Sequence, residues 1–330
     1  MRILFITASR IGDAVLSSGL LAHLAETHPQ ARFTVACGPI PAPLFGPAPF
    51  VERVIPMPKR RRSGHWFDLW RATAATWWHM VVDLRGSAMG FVLPTLHRRV
   101  LRSSWEPKHR LIHLATALGL DRPLAPRLWN TPDQLEAAAD LVPPGPPVLA
   151  VGPTANWGGK QWPAERFAAV AARLTAPAGI LPGARVAVFG AGGEREAAAP
   201  VLHAIPAERR IDAVGRLDLP TVHAALGRCA FYLGNDSGLM HIAAASGVPT
   251  LGLFGPSSEI FYGPWGPNCA TVRGPRSFED ICHAPDFDHR TQESRMLDLT
   301  VDTVIAAAGK LAARLGMAAD NPARENCPSR

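Results

Sequence analysis

The sequence predicts an α/β protein in which two doubly wound parallel-sheet units face each other across a cleft. Three observations carry that expectation. The chain opens as strand, helix, strand: RILFIT, then AVLSSGLLAHLAETHP with Leu16, Leu20, Leu21 and Leu24 at helical spacing, then RFTVAC. A βαβ unit of this kind joins parallel strands. A proline-rich stretch from Pro126 to Pro147, with PPGPP inside it, reads as a linker. Beyond it the alternation restarts, and a chain of 330 residues suits two domains of roughly 150 residues.

Taken in order, VERVIPM and HMVVDLRG supply further strands of the first unit. Between them, KRRRSGHWFDLWRATAATWWHM sets Lys59, Arg60, Arg61 and Arg62 ahead of Phe67, Trp70, Ala74, Trp77 and Trp78 at helical spacing. This reads as a solvated loop and a helix with its aromatic face turned inward, or as a surface for an anionic, lipid-linked ligand. In the second unit PVLAVG, RVAVFG, CAFYLG and VPTLGLFG are strands. AERFAAVAARLTA, EREAAAPVLHAI and the segment after GNDSG are helices. Ligands of such sheets sit where loops converge at the carboxyl ends of strands. Asp13, Lys160, Glu194, Asp236 and Ser257 all follow predicted strands, and that shared placement is the functional signal carried by the residues alone.

Each of these positions has a chemical reading and a plainer one. Asp236 and Ser237 open a helix whose free amides and dipole suit an anion, with Gly238 allowing close approach; either residue also serves as an ordinary N-cap. FGPSS, with Ser257, places a second anion-compatible loop beside the first. Lys160 in NWGGKQWP can hold a diphosphate as a point charge. The hydroxyl residue that a Walker motif needs after its lysine is missing, so an NTPase is not expected. VFGAGGERE approaches a dinucleotide fingerprint but has Arg195 at the third glycine; Glu194 suits a ribose diol or, equally, the first turn of a helix. Asp13, across the cleft, can take a proton from a hydroxyl or cap a helix. Asp286 and Asp288 in PDFDH, late in the chain and apart from the strand-end loops, read as surface charge. The 12 histidines show no metal-ligand spacing.

Composition sets bounds. A net charge of +7 points to an anionic partner: nucleic acid, membrane surface or phosphorylated substrate. No nucleic-acid-binding motif accompanies it, so nucleic acid is not an expected partner. Cys37, Cys229, Cys269, Cys282 and Cys327 are scattered and odd in number, which fits a reducing cytoplasm. The opening apolar run is short for a signal peptide and is interrupted by Arg10 and Asp13. No segment approaches the ~20 apolar residues of a membrane span. A soluble protein is expected.

TANWGGKQWPAERFAAVA, YLGNDSGLMHIAAASGVPTLGLFGPSS and RILFITASRIGDAVLSSGLLAHL together resemble the lipopolysaccharide heptosyltransferases, glycosyltransferase family nine. CHAPDFDHRTQESRMLDLTVDTVIAAAGKL is similar to that family's C-terminal segment. The resemblance implies a GT-B fold of two Rossmann-like domains. Residues 1–145 would bind the acceptor and 146–330 the nucleotide-sugar donor, the last helix packing back on the first domain. It further implies inverting, metal-independent transfer of a heptose from ADP-heptose to a hydroxyl of a lipopolysaccharide core or related glycan, with no other cofactor. The acceptor would be anionic and lipid-linked, and the enzyme cytoplasmic, peripheral at most on the inner face of the inner membrane.

Carried over by motif, Asp13 would be the general base, Lys160 would neutralise the diphosphate and Glu194 would meet the ribose. Asp236 would hold sugar hydroxyls, the amides of Ser237, Gly238 and Leu239 would meet phosphate, and His241 would line the same site. Thr154 and Asn156 stand where relatives carry more hydroxyl residues, and LRGSAMG after the VVD strand is only loosely similar. A nicotinamide oxidoreductase and a non-catalytic two-lobed binding protein are the alternatives.

Overall fold

The computed structural model describes residues 1–104 and 106–317; Cys327 lies outside the described residues. Two all-parallel sheets are formed. The first contains β1 (Arg2–Ile6), β2 (Arg32–Cys37), β3 (Val51–Pro56), β4 (Trp78–Asp83) and β5 (Thr95–Val100), in the order β3-β2-β1-β4-β5. The second contains β6 (Val148–Gly152), β7 (Arg185–Val188), β8 (Arg210–Asp212), β9 (Phe231–Asn235), β10 (Thr250–Phe254) and β11 (Cys269–Arg273), in the order β11-β10-β9-β6-β7-β8. Strands covered on both faces read as unbroken apolar runs. Accordingly Ile3 to Ile6 of β1 and Leu149 to Val151 of β6 are wholly buried. Register places Ile3 between Phe33 and Met80, and Ala150 between Tyr232 and Ala187. Two doubly wound, all-parallel sheets are thus formed, as the sequence predicts.

Four expectations need correction. The proline-rich stretch is not plain linker: it contains helix Pro132–Leu141, started by a capping box between Thr131 and Gln134. That helix packs on helix Leu219–Leu226 of the second unit, and Arg228 Nε donates to the Val142 carbonyl at 2.7 Å. The aromatic run is broken at Thr73, where helix Gly64–Thr73 ends, and Trp78 belongs to β4. This helix buries Leu69, which packs with Leu4, Ile6 and Val81 of the sheet, and Thr73, while Phe67 (59% exposed) and Trp70 (39%) face outward and stack on each other at 5.8 Å. The last described helix, Val301–Arg314, does not return to the first unit. It packs on helix Ala164–Leu174 and on β10 and β11, burying Val304, Ala308 and Leu311. Finally, β5, β8 and β11 were not expected, being exposed, short or polar edge strands.

Candidate functional site

Each sheet reverses its strand order once, between β1 and β4 and between β6 and β9. A doubly wound sheet offers its ligand crevice at such a reversal. Loops from both reversals line one cavity of about 560 Å³. Asp13 comes from the first unit; Thr154, Asn156, Lys160, Glu194, Asp236, Ser237, Gly238, Leu239 and His241 come from the second. Lys59, Arg60, Arg61 and Arg62 are not among its walls. They follow β3, at the far edge of the first sheet, where Arg60 pairs with Asp68 at 2.6 Å.

The second unit's side is held by buried polar contacts. Asn235, fully buried at the end of β9, accepts from the Trp162 amide at 3.1 Å and donates to the Pro153 carbonyl at 2.8 Å. It thereby fixes both ends of the Lys160 loop. The loop's outer side rests on the PDFDH segment: Trp157 Nε1 donates to the Thr291 carbonyl and the Arg295 amide to Gly159. Asp286 is taken up by Arg295. That segment is therefore a buttress of the strand-end loops, not a region apart from them. Lys160 Nζ donates to Asp236 Oδ2 at 2.5 Å, with Asp236 only 7% exposed. Glu194 Oε2 accepts from Thr154 Oγ1 and from the Ala191 amide, each at 2.8 Å, so Glu194 closes the turn that precedes helix Arg195–Ala204. Beyond it Phe189, Gly190, Gly215, Leu217 and Val222 form an apolar end of the cavity. Ser257 is buried behind β10 and is absent from these walls; the FGPSS loop leads instead to the turn Glu259–Tyr262, and Tyr262 reaches the cavity.

The two units meet through the first turns of helices Ile11–Thr27 and Gly238–Ser246. A Cβ on Gly238 would sit 2.6 Å from Ile11 Cβ, and one on Gly12 would sit 2.8 Å from the His241 ring. Both positions require glycine for this approach. The result is that two helix N-termini, each with amides lacking an intrahelical partner, point at one space. His241 lies at the join; burial pushes its imidazole down to about 4 against the pull of Asp236 and Asp13, so the ring is neutral. Among the described residues its Nδ1 has no hydrogen-bond partner, nor has the buried Ser237 Oγ.

On the first unit's side, Asp13 Oδ1 lies 3.7 Å from Arg110 Nε. Arg110 begins helix Arg110–Ala115, capped by His109, whose Nδ1 accepts from the Leu111 amide. His109 Nε2 is then the protonated nitrogen, and it donates to the Gly263 carbonyl at 2.9 Å, tying the units together. Burial lowers this histidine's pKa as well. Arg110, Asn235 and Tyr262 were not foreseen. Asn235 stands next to Asp236 in the quoted motif, but nothing in KHRLIHLA marks Arg110. Chemically, the cavity offers a cation and amides to an anion on one wall and a carboxylate on the other.

The chain matches the family model "Glycosyltransferase family 9 (heptosyltransferase)" over residues 57–291. It is 28% identical to lipopolysaccharide heptosyltransferase 2 of Salmonella typhimurium, across 83% of this chain and 88% of that protein. The fold is similar to a family 9 glycosyltransferase from Veillonella parvula (TM-score 0.78, 21% identity, 94% and 97% of the two chains covered). It is also similar to E. coli ADP-heptose lipopolysaccharide heptosyltransferase II (TM-score 0.70, 24% identity, 96% and 100% covered). Among the described residues no helix is long and apolar enough to cross a membrane.

Proposed function

The chain belongs to glycosyltransferase family 9, the heptosyltransferases, and from that premise we propose that it transfers heptose from ADP-heptose to a hydroxyl of the lipopolysaccharide core. One observation carries the reading: Asp13 and the Lys160–Asp236 pair, contributed by different sheets, line one cavity. Displacement of ADP builds negative charge on a diphosphate. Pre-arranged donors answer that charge without reorganisation. Lys160 and the amides of Ser237, Gly238 and Leu239 are such donors. When the diphosphate arrives it competes with Asp236 for the ammonium, and the released carboxylate is free to accept from sugar hydroxyls. The apolar end near Phe189 and Leu217 receives the base, with Glu194, Thr154 and Asn156 on the ribose and phosphates.

On the opposite wall Asp13 takes the proton of the acceptor hydroxyl as its oxygen bonds to the anomeric carbon. The bond from that carbon to the diphosphate oxygen breaks, ADP leaves with the electron pair, and the configuration inverts. Closure of the two units keeps water from the donor. In this scheme the charge on the leaving group is met by protein groups alone, without a metal or a further cofactor. The acceptor is read as anionic and lipid-linked, which the excess of basic residues supports. Peripheral contact with an anionic membrane is read onto Lys59, Arg61 and Arg62 beside the exposed Phe67, Trp70 and Trp77.

Two titrations test the reading: ADP into the wild-type protein, and ADP-heptose turnover with a core oligosaccharide acceptor. Micromolar ADP binding with acceptor-dependent ADP release is expected. Binding of NADH but not ADP would overturn it.

A further inference from the structure

Tyr232, on the central strand β9, is wholly buried between Ala150 of β6 and Thr250 of β10. Its phenol reaches along the sheet to the strand ends that bear the cavity. A Cβ on Gly152 or on Gly234 would stand 2.2 Å from its hydroxyl oxygen, so both strands carry glycine where the phenol passes. Among the described residues that hydroxyl has no hydrogen-bond partner. It faces Ser237, whose own Oγ is likewise buried and unpartnered. Ser237 holds the N-cap position of helix Gly238–Ser246 in extended conformation (φ −148°, ψ 170°), yet its side chain makes no cap bond. Asp236, the other residue able to cap, is held by Lys160.

Buried tyrosine hydroxyls normally find partners. A phenylalanine at 232 would fill the same space without an unpaired oxygen, so the hydroxyl calls for a reason beyond packing. Burial raises the Tyr232 pKa, which keeps the phenol protonated and able to donate. Ser237 itself lines the donor cavity, and its side chain has three staggered wells to choose from. We propose that Tyr232 is a positioning residue for the donor's diphosphate: its O–H donates to Ser237 Oγ, and the Ser237 O–H donates to a phosphate oxygen. The chain is complete only with the anion in place, so both hydroxyls gain partners on binding. The inference rests on the transferase reading above and adds to its donor wall a residue that touches no substrate.

Calorimetry with ADP and with adenosine tests it on three variants. Tyr232→Phe should weaken ADP about fivefold, the worth of one net hydrogen bond, and leave adenosine binding unchanged. Without ligand it should melt no lower than the wild type, because the change removes a buried unpaired hydroxyl. Ser237→Ala should weaken ADP roughly tenfold, the scale of a hydrogen bond to a charged group. Adding Tyr232→Phe to it should cost nothing more, since the phenol acts only through Ser237. Unchanged ADP affinity in Tyr232→Phe overturns the inference. So does an equal loss for adenosine, a lowered melting temperature, or additive losses in the double variant. A wild type that binds no ADP fails the transferase reading itself, whatever the variants do.

Discussion

The two walls of the cleft hold their own charges in opposite ways. On the second unit's wall the cation is spent in advance: Lys160 is held by the buried Asp236, beside the first amides of helix Gly238–Ser246. On the first unit's wall the cations, Arg85, Arg102, Lys108 and Arg110, outnumber the carboxylates, and Asp13 stands at the edge of that positive field. The first arrangement suits a ligand of fixed size that must be released as a product. The second suits a larger, variable, charged partner drawn from solution or from a surface. Between them lies a neutral ring, His241, packed on Gly12.

The sharpest way to break this division is at the base. Asp13→Asn should lower turnover by roughly 10²–10⁴-fold, the usual scale for loss of a general base. ADP affinity should stay the same; a variant that loses ADP binding instead would move Asp13 to the donor wall. Next comes Lys160→Ala, which should weaken ADP by roughly 10–100-fold, the range of a charge-assisted contact. Calorimetry with unchanged ADP affinity would remove Lys160 from the diphosphate.

Smaller effects sharpen the comparison at the join. His241 has its folded pKa lowered from 6.5 to about 4. The unfolded chain therefore takes up the proton first, so this contribution to stability is present above about pH 6.5 and is lost as pH falls toward 4. His241→Gln should flatten that part of the pH profile, by up to roughly 3 kcal/mol. Urea midpoints measured from pH 7 to 4.5 check it, and parallel curves for wild type and variant would count against a neutral, desolvated ring. The smallest change is Gly238→Ala, which forces a methyl against Ile11 and should cost about 1–3 kcal/mol. An unchanged melting temperature would mean that the units do not meet there.

The second unit's wall was legible in the sequence because its residues stand in local order. Strand, small residues and helix start fall within GNDSGLMHI, and the structure sets Asp236, Ser237, Gly238 and Leu239 of that stretch on one cavity wall. The first unit's wall was not legible in the same way. Arg85 and Arg102 lie on loops after different strands, and only the order β1-β4-β5 makes them neighbours. Lys59 to Arg62, the conspicuous basic run, lies at the far edge of the first sheet and lines neither reversal. The aromatic helix failed for a related reason: Phe67, Trp70 and Trp78 share a period, but Thr73 ends the helix and hands Trp78 to a strand. The edge strands β5 and β11 escaped because TLHRRV and CATVR, half-exposed, lack the apolar runs that betray central strands. Helix Pro132–Leu141 hid behind its prolines, one of which occupies the first helical position, where proline is favoured.

A crystal structure with ADP-heptose bound tests the central claim most directly. The account predicts Lys160 Nζ drawn from Asp236 onto a diphosphate oxygen, the amides of 237–239 on the phosphates, and the Asp13 carboxylate facing the anomeric carbon from the other wall. A diphosphate seated with Lys160 still on Asp236, or with Asp13 turned out of the cleft, would contradict it.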